Sequence, residues 1–119
     1  MDVIALAAEA LQPIAESGIP VQQGWYDANV KKMHVTLWNL GDYDSEHSDD
    51  ETEIEAASVQ VNIWSGKDQI RLKKKIKKLM KKAGFYFMEG HDEYETDTKI
   101  FSSAMRFMAA QEAKEEENE

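Results

Sequence analysis

The sequence predicts an α+β domain: one antiparallel or mixed sheet of about four to five strands, two helices on one face, and a long acidic loop between strands. Three observations carry this. In residues 59–64, Val59, Val61 and Ile63 take every second place, which marks a strand with one buried and one wet face. After the Ser65-Gly66 break, residues 67–83 place Leu72, Ile76, Leu79, Met80 and Ala83 within about a 100° arc, the pattern of an amphipathic helix. Gly84 then gives way at once to Phe85-Tyr86-Phe87-Met88, an aromatic strand.

The other elements follow in chain order. Asp2 is placed to cap a helix with the apolar stripe Val3, Ala7, Ala10, Leu11 and Ile14. Pro13 lacks an N–H and crowds the carbonyl four residues back, so that helix should kink or end near Gln12, and Gly18 closes the segment. Residues 21–26 read as a short strand with Trp25 and Tyr26 as anchors, and 27–32 as a turn. Met33, Val35 and Leu37 alternate with His34, Thr36 and Trp38, which gives the next strand.

From Gly41 to about Glu51 the only apolar residue is Tyr43. Such a stretch cannot bury enough surface to offset its ordering entropy, so it is expected to be a mobile loop spanning residues 41–52. The following strand should begin near Thr52, its weakly apolar part 54–58 projecting beyond the sheet. Residues 89–97 are expected as a polar turn region, and 98–108 as a last strand. Apolar residues on both faces of that strand place it in the sheet interior or against a partner. One domain over 1–110 and a disordered acidic tail over 111–119 complete the expectation.

Composition narrows the function. At 119 residues there is room for one core. With no cysteine, disulfides, thiol catalysis and cysteine-based metal sites are excluded. No run approaches the ~18 apolar residues of a membrane span, and no export signal is legible, so a soluble intracellular protein is expected. His34, His47 and His91 have no metal-ligand spacing, and the glycines form no phosphate loop. The acidic loop lacks the order of a calcium-binding loop, and Ser102 and Ser103 lack the setting of a nucleophile. No cofactor, metal or catalytic residue is expected; the chain reads as a part in an assembly.

Charge is the strongest functional signal. The net charge is −9, yet residues 67–82 hold nine of the fourteen basic residues and a single acid, Asp68. Residues 42–55 hold eight of the twenty-three acids and no Lys or Arg. Segregation of this kind suits docking between protein subunits, including copies of the same chain. The candidate contact residues are Lys74, Lys78 and Lys81 on the helix, and Asp44, Asp49, Asp50 and Glu51 in the loop. A nucleic-acid-binding protein using the basic helix is the alternative, although no aromatic residue interleaves with the lysines for base stacking. The blander reading of the same run is a solvated outer face.

One resemblance covers roughly the whole chain and is most distinctive in the second half. A strand ending in Ile63-Trp64-Ser65 is followed by a helix closing on Gly84-Phe85. Then come Tyr94-Glu95, Asp97-Thr98 and Arg106-Phe107. In this order and spacing the chain resembles the small tail completion, or tail terminator, proteins of long-tailed bacteriophages. It departs from them at Ser102-Ser103, where the family often has a basic residue or histidine, and in its acidic C-terminal extension. The resemblance implies a non-catalytic virion protein, made in the host bacterial cytoplasm, that forms a six-fold ring at the head-proximal end of the tail. Its implied partners are the tail tube protein, the head connector and further copies of itself. No membrane and no specific nucleic acid is implied, although DNA would pass through the ring. A different head–tail adaptor or a minor capsid protein would share this assembly logic.

Overall fold

The computed structural model describes residues 1–30, 32–44 and 54–112. Eight elements follow in order: α1 (Val3–Ala10), α2 (Gln12–Glu16), β1 (Val21–Gln23), β2 (His34–Asp44), β3 (Ile54–Ser65), α3 (Ile70–Lys82), β4 (Tyr86–Glu95) and β5 (Ile100–Glu112). The strands form one five-stranded sheet in the order β1-β2-β3-β5-β4. β1 pairs parallel with β2 and the remaining pairs are antiparallel, so the sheet is mixed and the fold is α+β.

Local chemistry sets the helix ends. The Asp2 carboxylate accepts the Ala5 N–H at 3.0 Å and caps α1. The helix breaks at Leu11, and Pro13 sits in the first turn of α2, where its missing N–H costs nothing. The first predicted helix is therefore two helices, which gives three among the described residues where two were expected. Gly18 (φ +101°) and Gly84 (φ +98°) end α2 and α3 in the left-handed conformation. The Phe85 N–H reaches the Met80 carbonyl at 3.0 Å and the Gly84 N–H reaches Lys81 at 3.0 Å. This six-to-one and five-to-two pairing satisfies the last carbonyls of α3 and turns the buried Phe85 into the core. At its other end α3 begins at Ile70 rather than 67, because the Ser65 hydroxyl accepts the Lys67 N–H at 3.2 Å and holds a turn there.

One face of the sheet carries the core. Val35, Leu37, Val59, Val61, Ile63, Met105 and Phe107 point towards Val3, Ala7, Leu11 and Ile14 of α1–α2 and Leu72, Ile76 and Met80 of α3. Each fully buried side chain of this size contributes about 1.5–3 kcal/mol of transfer free energy, so the apolar stripes of the helices fix which face they cover. No helix among the described residues covers the opposite face.

Five expectations on the strands are corrected. Residues 41–44 are not loop: β2 runs on to Asp44, with Gly41 paired to Ser58 and Asp44 to Glu55. The polarity that suggested a loop is tolerated because the backbone is satisfied by β3. Ile54 to Ser58 does not project beyond the sheet, being paired to β2 on one side and β5 on the other. Residues 89–95 are strand, the outer part of β4, with the turn confined to 96–99 around Lys99 (φ 60°). β5 extends through Gln111 and Glu112, so the expected acidic tail starts later than 111. Conversely β1 stops at Gln23, and Trp25 and Tyr26 lie in the loop beyond it.

Candidate functional site

Two surfaces on opposite sides of the sheet carry the features that could bind a partner. The first is the solvent face of α3. Five of its seven lysines fall into two sets. Lys73 and Lys77 flank the buried stripe and turn towards β4: Lys73 Nζ lies 3.0 Å from Asp92 Oδ1, and Lys77 Nζ sits 4.1 Å above the Phe87 ring. Lys74, Lys78 and Lys81 point to solvent with no ion pair among the described residues. Ile70 lies on the same outer face and is 58% exposed, an apolar residue in a basic stripe.

The structure brings Lys74, Lys78 and Lys81 together on one face of α3; of the four acidic candidates only Asp44 lies among the described residues. Asp44 is the last residue of β2, its backbone paired with Glu55. Asp49, Asp50 and Glu51 lie outside the described residues.

The second surface is the open face of the sheet, built from the side chains that alternate with the core set. Gln60, Asn62 and Trp64 of β3 lie beside Ser102 and Ala104 of β5 and His91, Glu93 and Glu95 of β4. They form a groove of about 640 Å³. Its aromatic wall comes from the parallel crossover between β1 and β2, which passes over this face. Trp25 meets Trp64 edge-on at 5.4 Å, and Tyr26 lies 5.3 Å from Trp64 and 5.7 Å from His34. The opposite wall is acidic, from Glu93 and Glu95.

Hydrogen bonds fix the floor. The Trp64 indole N–H donates to Thr36 Oγ1 at 2.8 Å in a buried contact, and Asn62 Nδ2 donates to Ser102 Oγ at 3.1 Å. Gln60 Nε2 donates to Asn62 Oδ1 at 2.7 Å. The crossover is anchored by His34, whose Nε2 accepts the Asp27 N–H at 3.3 Å, leaving Nδ1 to donate to the Lys32 carbonyl at 3.1 Å. The Asp27 carboxylate accepts from the Asn29 N–H and from Gln22, and these bonds hold it below the usual carboxylate range. Among the described residues no buried side-chain nitrogen or oxygen lacks a partner.

Sequence reasoning missed the groove and its acidic wall. The signal was present in the alternation of His91, Glu93 and Glu95 with Gly90, Asp92 and Tyr94, but without apolar residues it resembled a turn region. Trp25, expected as an anchor, and Trp38 are 52% and 48% exposed, so neither belongs to the core.

No family model matches the chain, and no curated protein matches it either. Among solved structures, the fold is similar to that of a chain from the virion of a native gene transfer agent particle. The two superpose with a TM-score of 0.63 over 92% of this chain and 94% of the other, at 12% sequence identity. At that identity the similarity establishes a shared fold. No helix among the described residues is long and apolar enough to cross a membrane.

Proposed function

We propose that this chain is a structural virion protein that completes the tail tube of a phage-like particle and joins it to the head connector, acting by ring assembly without catalysis. The observation that supports this most is the near full-length fold match with a chain of a gene transfer agent virion. The sequence resemblance to tail completion proteins points the same way from independent residues, Ile63-Trp64-Ser65, Gly84-Phe85 and Arg106-Phe107 among them. Two further features suit assembly. The lysines of α3 and the open sheet face are two different surfaces of one molecule, as a head-to-tail contact requires.

The test is complementation: tails lacking their terminator are mixed with this protein and scored by electron microscopy for tubes of defined length that join heads. Capped, joining-competent tails are the expected result, and tubes that go on elongating overturn the reading. A head–tail adaptor or minor capsid protein would leave tube length unregulated in the same assay. The unpaired lysines of α3 favour one competing reading, nucleic-acid binding. It predicts DNA affinity that falls steeply as salt rises, together with no effect on tails.

A further inference from the structure

The exposed stripe of α3 and the groove on the open sheet face match in chemistry and in length. Ile70, Lys74, Lys78 and Lys81 are spaced four, four and three residues apart, which places them within about 80° of one another on the helix. From Ile70 to Lys81 the stripe runs about 16 Å. It presents one apolar residue at its start and three cations after it.

The groove offers the converse. Trp25, Tyr26 and Trp64 form an apolar wall, and Glu93 and Glu95 of β4 an anionic one. β4 spans about 20 Å between Glu89 and Glu95, long enough to run beside the stripe. Glu93 is engaged only by the exposed His91 at 3.2 Å, and Glu95 makes no ion pair among the described residues. Glu89, further along, is already held by Arg106 at 3.4 Å. In its own molecule α3 lies over the other face of the sheet and cannot enter this groove. A phosphate backbone is repelled by the same carboxylates.

We infer that the open-face groove receives α3 of a second copy of this chain. Ile70 packs against the aromatic wall, and Lys74 and Lys78 pair with Glu93 and Glu95. The contact joins unlike surfaces from opposite sides of the sheet, so a joined pair retains one free helix on one copy and one free groove on the other and can continue the series. This deepens the ring-assembly reading and rests on it.

Two charge-swapped proteins test the contact. One carries Lys74→Glu with Lys78→Glu, the other Glu93→Lys with Glu95→Lys. Self-association is measured by light scattering across concentration, and circular dichroism confirms that both remain folded. The wild type is expected to associate, each variant about ten-fold more weakly, and an equimolar mixture of the two to recover association, because each variant's altered surface then faces a complementary one. Ile70→Asp should weaken association without being rescued by either charge variant. If both variants associate as the wild type does, the groove is not the contact, and a ring built through another surface stands. A wild type that stays monomeric at millimolar concentration overturns this interface, while tail complementation decides the ring reading separately.

Discussion

Lys73 and Asp92 tie the helical layer to the edge strand: the ammonium of α3 sits 3.0 Å from the carboxylate of β4. It joins the β5 ladder, the Glu89–Arg106 ion pair and the Phe87 ring in holding β4. Hydrogen bonds from Lys73 and then from Ser103 hold the Asp92 carboxyl below the usual carboxylate range. Since the folded-state value is the depressed one, the stabilisation is complete above the unfolded value near 3.9. It is lost as pH falls through the folded value. Asp92→Asn should therefore melt slightly below the wild type at pH 7, by the ~0–1 kcal/mol typical of exposed pairs, and match it in strong acid. Thermal melts from pH 7 to 2 check this; a gap that widens on acidification would contradict it.

The lysines of α3 should separate by function although the sequence treats them alike. Charge reversal at Lys74, Lys78 and Lys81 together is expected to leave stability unchanged within about 0.5 kcal/mol per site, since none makes an ion pair among the described residues. Lys73→Glu should destabilise instead by placing a carboxylate against Asp92. Urea titrations of the two proteins distinguish these outcomes.

Trp64 and Thr36 should behave as a coupled pair. Thr36→Val leaves the buried indole N–H without its acceptor and is expected to cost about 1–3 kcal/mol. Trp64→Phe in the Thr36→Val background removes the orphaned donor, so the double mutant should lose less than the sum of the singles. A double-mutant cycle in denaturant gives the coupling directly, and strict additivity would mean the bond contributes nothing.

Gly84 is a position where an added methyl group should act through the backbone alone. Its φ of +98° is a conformation that residues with a Cβ avoid, although nothing lies within 4 Å of the added atom. Gly84→Ala should cost about 1–2 kcal/mol through the backbone alone. The equivalent change at Gly66, which has no positive φ and equal space, should be close to neutral. Equal losses at the two sites would show that space rather than backbone conformation governs both.

The parts of the fold legible in the sequence are those where burial imposes a period. Leu72, Ile76 and Met80 repeat at helical spacing, and Val59, Val61 and Ile63 at strand spacing, because each set faces the same core. Gly84 and Asp2 marked helix ends because their backbone roles are local. The outer part of β4, residues 89–95, escaped notice for the opposite reason: beyond Phe87 both faces of the strand are wet, so nothing selects apolar residues at alternate places. Residues 41–44 were hidden likewise, their pairing being a property of the Ala56 and Ser58 side of the ladder rather than of their own composition. The groove was beyond reach because its walls come from segments some seventy residues apart, Trp25 and Glu95. The lysine stripe could be read, since a helix reports its own faces, but the partition of Lys73 from Lys74 depends on where β4 lies.

The placement of the three tryptophans makes the protein its own optical reporter. Trp25 and Trp38 are half exposed on the open side of the sheet, Trp64 is packed beneath Trp25, and the helices contain none. Emission from this molecule will therefore shift to shorter wavelength when something covers the open side and stay silent when the helical side is covered. One cuvette experiment thus tells which side of a subunit has been occupied, with no label added and no residue changed.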